Sequence, residues 1–189
     1  MSDAINWGEA YLDHYERCFG DFTKREVFQP HQDGPVIQVL SYDNVMRGCR
    51  VYASIGLTHY LGEVGSIGEA LVCTSPSDDW PLILASSLFY LVQSRMELGW
   101  GMVVGGVDVV APFFCGKYDK TALYFSLPTL FPEHVRVVRR GHLTGMLYLV
   151  TPITTAERAY FTKHGAAEFE QLLARSGVDT LELDRLSAI

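Results

Sequence analysis

The chain has 189 residues, 48% of them hydrophobic, with 22 acidic and 15 basic side chains and a formal net charge of −7. That length supports one domain over residues 1–189 with a substantial core, and is short for two. The acidic balance excludes general nucleic-acid binding, which needs clustered Lys and Arg against phosphate; the densest basic run, RVVRRGH at 136–142, reads as a solvated hairpin turn.

The first residues carry charges early and offer no small-residue cleavage site, so no secretory signal is expected. The most apolar segment, 80–92, is interrupted by Ser86 and Ser87 and falls short of the ~20 residues of a membrane span. Cys18, Cys49, Cys73 and Cys115 are scattered through a chain that can fold without staples. A cytoplasmic protein with reduced, mostly buried thiols is the expectation.

In chain order, residues 6–19 place Trp7, Tyr11, Tyr15 and Cys18 three or four apart, which predicts an amphipathic helix. Extended segments follow at 36–42 and 50–55, parted by the turn-like DNVMRG, and a third at 67–74 completes a run of antiparallel neighbours. SPSDDWP then announces the main helix. Ser77, Asp78 or Asp79 can cap it, Pro81 suits its first turn, and apolar residues on nearly every side of 82–92 bury it against the sheet. Gly99 is the expected left-handed stop.

Residues 121–127 alternate between two faces, and 134–138 with 142–150 form a hairpin whose second arm ends at Pro152. Thr154 and Glu157 have capping-box spacing and open a helix to His164, stopped by Gly165; a last helix ends near Gly177. Helix, strands, long helix, strands and two C-terminal helices, without βαβ alternation, predict an α+β fold with a mixed or mainly antiparallel sheet packed on the long buried helix.

The stretch ELGWGMVVGGVDVV, 97–110, invites a phosphate-loop reading. A dinucleotide site needs a strand before the glycines and a helix after them. Here the glycines follow a helix and precede VDVV, whose β-branched residues favour extended structure, and no Gly-Lys-Ser/Thr follows. Gly99 and Gly101 are expected to turn the chain, Gly105 and Gly106 to bend the next strand, and no cofactor is implied.

YASIG, 52–56, resembles half of a nucleophile elbow around Ser54, with Asp108 and His134 or His142 downstream in the order of a hydrolase triad. Tyr52 stands where the elbow needs glycine, and an ordinary strand serine is the favoured reading. No zinc spacing of Cys or His is present, His59 near Cys73 being the nearest approach, and Asp78 with Asp79 reads as helix capping. Four aromatics lie in or beside predicted loops. Trp80 is expected to cap the core, whereas Trp100 and the pair Phe113 and Phe114 in APFFCGKYD are candidate anchors for a protein partner.

Five stretches, RVYASIGLTHY, WPLILASSLFYLV with LGWGMVVGG, ALYFSLPTLFPE, LYLVTPITTAERAYFTKHGAAEFEQLL and LELDR, together resemble the suppressor of fused domain family in its short bacterial form, over residues 50–185. The resemblance implies a sheet-and-helix domain without catalytic residues, used for protein binding. Animal members restrain zinc-finger transcription factors; bacterial members include immunity proteins that neutralise toxins. Two departures stand out. The chain stops where the first animal domain stops, and Gly105-Gly106-Val107 replaces the animal Gly-Asp-His, with Asp108 two positions late.

The resulting expectation is a non-enzymatic binding protein, an immunity protein that occludes a basic toxin domain through Trp100, Asp108, Phe113 and Phe114. A hydrolase using Ser54 and a cytoplasmic adaptor with another protein partner are the alternatives.

Overall fold

A computed structural model of the chain describes residues 6–30, 34–46 and 48–189. Helix α1 (Trp7–Phe19) opens where the Asn6 side chain accepts the Glu9 amide at 3.2 Å. Five strands and helices follow: β1 (Lys24–Phe28), β2 (Ile37–Met46), β3 (Cys49–Ile55), the short α2 (Leu61–Val64) and β4 (Gly68–Thr74). Then come α3 (Trp80–Ser94), β5 (Met102–Gly105), the single turn α4 (Val107–Val110), α5 (Pro112–Tyr118) and β6 (Ala122–Ser126). The chain closes with β7 (Val137–Arg140), β8 (Leu143–Ile153) and α6 (Thr155–Ser176).

Among the described residues the strands form one 8-stranded sheet in the order β1-β2-β3-β4-β8-β6-β5, with β7 also pairing β8. β4 and β8 run parallel, and the other pairings are antiparallel. The expected α+β class with a mainly antiparallel mixed sheet is therefore what forms. β8 is central and long, so it meets β4 along one edge and β7 then β6 along the other.

Helix α3 covers one face. Trp80, Ile83, Leu84, Leu88 and Leu91 pack on Ile37, Val39, Val72, Leu123 and Val150, all essentially sealed from water. Trp80 belongs to this core, its indole N–H donating to Thr74 Oγ1 at 2.8 Å. The opposite face carries two helices. α1 lays Tyr11 and Tyr15 over Leu40, Val51 and Leu71, while α6 sets Phe169 on Tyr124 and Ile153. Apolar burial on both faces explains why β4 and β8 lack polar alternation.

Several expected boundaries move. The strand β2 runs through Asp43 to Met46, with Asn44 left-handed at φ 62° and an irregular register there, so the predicted turn at 43–48 is mostly strand; its Arg47 lies outside the described residues. α3 ends at Arg95, left-handed at φ 50°, rather than at Gly99. The early stop lets Leu98 fold back into the core, where its amide donates to the Val64 carbonyl at 2.9 Å. Asp79 occupies the cap position of α3 but its side chain bonds Ser77 instead of a first-turn amide. Pro152 does not end β8; it pairs with Leu123 one residue before the strand closes.

The capping box at Thr154 and Glu157 is complete, and α6 breaks at Gly165 (φ 80°, ψ 177°), leaving two helical segments as expected. The larger correction concerns 107–110 and 112–118. VDVV is one helical turn and PFFCGKY is a helix, not extended chain and loop. Left-handed Gly106 (φ 91°) reverses the chain at the end of β5, and Val107 and Phe114 are then drawn into the core under α3. No helix among the described residues is long and apolar enough to cross a membrane.

Candidate functional site

The diglycine corner sits where β5 ends. At Gly105 and Gly106 the order is strand, glycines, helix, not the helix, glycines and extended chain expected from the sequence, although α4 is a single turn. The place where a Gly105 side chain would stand is filled by the Arg158 guanidinium, 2.6 Å from the would-be Cβ. A side chain at 105 would displace Arg158, which reaches over from the start of α6 to the strand end.

Beside this corner a groove of about 610 Å³ runs between α3 and α4, lined by Ser86, Tyr90, Gln93, Gly106, Val109 and Arg158 among others. Its rim is apolar and open: Tyr90 is 51% exposed and Val109 81%. One turn further, Phe113 on α5 is 91% exposed. Asp108, also exposed, lies in the first turn of α4 next to Val109.

The expected anchors are therefore divided. Asp108 and Phe113 share the α4–α5 surface. Phe114 does not: at 1% exposure it is core, its ring edge-on to Trp80 at 5.3 Å and to Tyr118 at 5.0 Å. Consecutive helical residues point about 100° apart, so one ring of the pair goes inward and the other outward. Trp100 lies beyond the opposite end of β5, half-exposed, with its indole N–H donating to Glu170 Oε1 at 2.8 Å. Tyr90, Val109 and Arg158 complete the groove and had no local signal beyond their residue types. Val109 would have been found by reading VDVV as a helical turn, which places it on the solvent side of buried Val107.

Ser54 is no exposed elbow nucleophile. It is buried within β3, donates to Glu69 Oε2 at 2.6 Å and accepts from the Ala70 amide at 2.9 Å. Glu69 is itself sealed, and its Oε1 accepts the Gly56 amide at 2.8 Å and the Thr58 amide at 3.3 Å, so the carboxylate ties β3 and β4 to the turn after β3. Burial pushes the Glu69 carboxyl up to about 7, against the opposing pull of these hydrogen bonds. Asp108, His134 and His142 stand on α4, in the turn before β7 and in the β7–β8 turn, away from this network. The four cysteines are unbridged, Cys49 and Cys73 buried and Cys18 and Cys115 half-buried; burial raises the Cys73 thiol to about 12. No group of three or more His, Cys, Asp or Glu among the described residues is placed to hold a metal ion.

No curated protein matches the sequence significantly. Solved structures match the fold. A structure described as a suppressor of fused homolog from Neisseria gonorrhoeae aligns at TM-score 0.77 and 18% identity, over 98% of each chain. A chain of the Sufu–Fu complex crystal structure aligns at TM-score 0.70 and 13% identity, over 95% of this chain and 91% of that one. Drosophila Suppressor of Fused aligns at TM-score 0.67 and 15% identity over 95% of this chain, which spans 50% of the Drosophila chain. The family model for Suppressor of fused protein (SUFU) matches residues 33–186, and the chain belongs to that family.

Proposed function

We propose that the chain is a non-catalytic protein-binding module of the cytoplasm that engages its partner through the α4–α5 surface. The observation that carries this reading is Phe113, a large ring 91% exposed on a seven-residue helix whose next residue is fully packed. Phe113 stands four residues past Val109, which with Tyr90 forms the apolar rim of the groove, and exposed apolar side chains in adjoining helices suit a partner anchor. The Sufu–Fu complex, a fold match, is a protein–protein assembly and supports a protein as the ligand class.

The net charge of −7 favours a basic partner, because opposite fields accelerate encounter. Within that reading the chain acts as an immunity protein that covers the working face of a basic toxin domain. An adaptor role would use the same surface without inhibiting the partner.

The experiment captures the partner from the native host with the wild-type chain and with Phe113→Ala, then assays the purified partner with increasing amounts of each. One basic protein retained by the wild type, lost by the variant, and silenced at equimolar chain is the expected result. Equal capture by Phe113→Ala would overturn the surface. A saturated partner that keeps its full activity would overturn the immunity reading and leave the adaptor.

A further inference from the structure

A second pocket, of about 570 Å³, opens between the sheet and the C-terminal half of α6. Trp100 and Glu170 stand at its polar side, Leu130, Leu149 and Leu173 form apolar walls, and Ser126, Thr129 and Thr151 add hydroxyls. No lysine, arginine or histidine lines it. Glu170 has no ion-pair partner among the described residues.

The carboxylate is held in one orientation. Trp100 Nε1 and the Tyr124 hydroxyl both donate to Glu170 Oε1, each at 2.8 Å. Burial, with the hydrogen bond to Glu170 and its charge, keeps the Tyr124 phenol protonated and therefore a donor. Oε2 accepts from no group among the described residues. Two neutral donors thus fix the carboxylate while leaving its charge uncompensated and its second oxygen available. The half-exposed Trp100 ring lines the same edge, an aromatic beside the carboxylate where a cation would sit, and the leucine walls suit a methylene stem.

We propose that this pocket binds an alkylguanidinium or alkylammonium group, with the guanidinium preferred. A planar guanidinium can bond Oε2 and lie over the indole, whereas an ammonium can do only the first well. An anion would meet the Glu170 charge with no cation to offset it, and a neutral ligand would leave that charge unanswered. The group could be an arginine side chain of a protein or a free alkylguanidine; the chemistry is shared. The proposal does not rest on the α4–α5 surface, which lies past the other end of β5.

The test records the Trp100 indole N–H resonance, assigned by its absence in Trp100→Phe, while titrating N-acetyl-arginine amide, agmatine and the uncharged N-acetyl-citrulline amide. Saturable shifts with both guanidines and none with the citrulline amide are expected, with affinity about tenfold weaker in Glu170→Gln. Tighter binding of agmatine than of the blocked arginine assigns the site to free alkylguanidines, and the reverse assigns it to protein side chains. If Glu170→Gln is unfolded, the contrast between arginine and citrulline amides in the wild type still decides. Equal response to the citrulline amide, unchanged affinity in folded Glu170→Gln, or no saturable shift would overturn the proposal. Phe113→Ala should leave these titrations unchanged, so this site and the partner surface can fail separately.

Discussion

Arg185 and Glu157 form a two-pronged ion pair sealed from water, 2.6 Å from Nη1 to Oε1 and 3.0 Å from Nη2 to Oε2. The same carboxylate accepts the Thr154 amide at 2.8 Å and the Ala188 amide at 2.9 Å, so one side chain caps α6 and fastens the segment after it to the sheet. Arg185 also donates to the Pro152 carbonyl at 3.1 Å, and its own carbonyl accepts buried Lys120 at 2.9 Å. Breaking the pair strands a buried charge, so Arg185→Ala should lose about 3–5 kcal/mol, measured by urea unfolding. Replacing both partners, Glu157→Gln with Arg185→Met, should recover part of that loss. Burial alone would raise the Glu157 carboxyl, yet the bonds from Arg185, Thr154 and Ala188 carry it below its ordinary 4.5. A depressed folded-state value means the stabilisation is present above pH 4.5 and is lost as pH falls through that lower value. A wild-type acid transition no steeper than that of Glu157→Gln would refute the assignment.

Glu69 acts with the opposite sign. Its carboxyl is raised to about 7 in the fold, from an ordinary 4.5, mainly by desolvation. The folded protein therefore keeps a proton that the unfolded chain releases first, and stability should fall as pH rises from 4.5 to about 7, by at most about 3 kcal/mol. Glu69→Gln can keep its carbonyl on the Gly56 amide and donate to Ser54, so it should fold and flatten that slope. The difference between wild type and Glu69→Gln across this window isolates the group, because Glu157 contributes its change at lower pH. Ser54→Ala strands the Ala70 amide and one Glu69 oxygen, at a cost of about 1–3 kcal/mol, with partner binding retained. Loss of an activity in a folded Ser54→Ala protein would revive the hydrolase alternative.

Phe113 and Phe114 separate surface from core within one dipeptide. Phe113→Ala removes a ring that is 91% exposed and should change stability by no more than about 0.5 kcal/mol while abolishing capture of the partner. Phe114→Ala empties a site between Trp80 and Tyr118 and should cost about 3–5 kcal/mol. Thermal unfolding of the two variants checks both stability effects, and partner capture by folded Phe113→Ala checks the anchor. A destabilised Phe113→Ala would mean its ring is packed, which removes it as an anchor.

What can be read from the chain alone follows from how local each signal is. The continuous apolar run of α3, the period of Trp7, Tyr11 and Tyr15, and the Thr154–Glu157 box are short-range patterns, and each becomes the element it suggests. Residues 107–110 mislead because β-branched side chains favour strands on average, whereas the left-handed Gly106 and the burial of Val107 decide the backbone here. β1 offers a charged, half-exposed edge with no apolar stripe, so KREVF carries little strand signal until β2 supplies its partner. The sites are less legible still. Glu170 meets Trp100 and Tyr124 across 70 and 46 positions, and Glu157 meets Arg185 across 28, separations at which no spacing rule operates. A buried Lys120, Glu157 or Arg185 also runs against the general exposure of charged residues, and only the geometry shows why they are inside, Glu157 and Arg185 as an ion pair and Lys120 on the Tyr118 and Arg185 carbonyls.

Gly145 sets how closely α1 can approach the sheet. It lies in β8 directly beneath the helix, where an added Cβ would meet the Tyr11 hydroxyl and stand 3.1 Å from the Trp7 ring. Tyr11 is fully buried, and its hydroxyl contacts the Met146 carbonyl at 3.0 Å and the Ile67 carbonyl at 3.4 Å, so it has no room to retreat without giving up these bonds. Gly145→Ala should therefore destabilise by about 1–3 kcal/mol and loosen α1 selectively. Hydrogen exchange should accelerate at the α1 amides and in the Trp7 indole while α3 stays protected. Gly99→Ala is the control: its added Cβ meets nothing within 4 Å and its backbone is not left-handed, so it should be neutral or slightly stabilising by lowering the entropy of the unfolded chain. Equal effects of the two substitutions, or unchanged exchange in α1 of Gly145→Ala, would show that the helix is not seated by this contact.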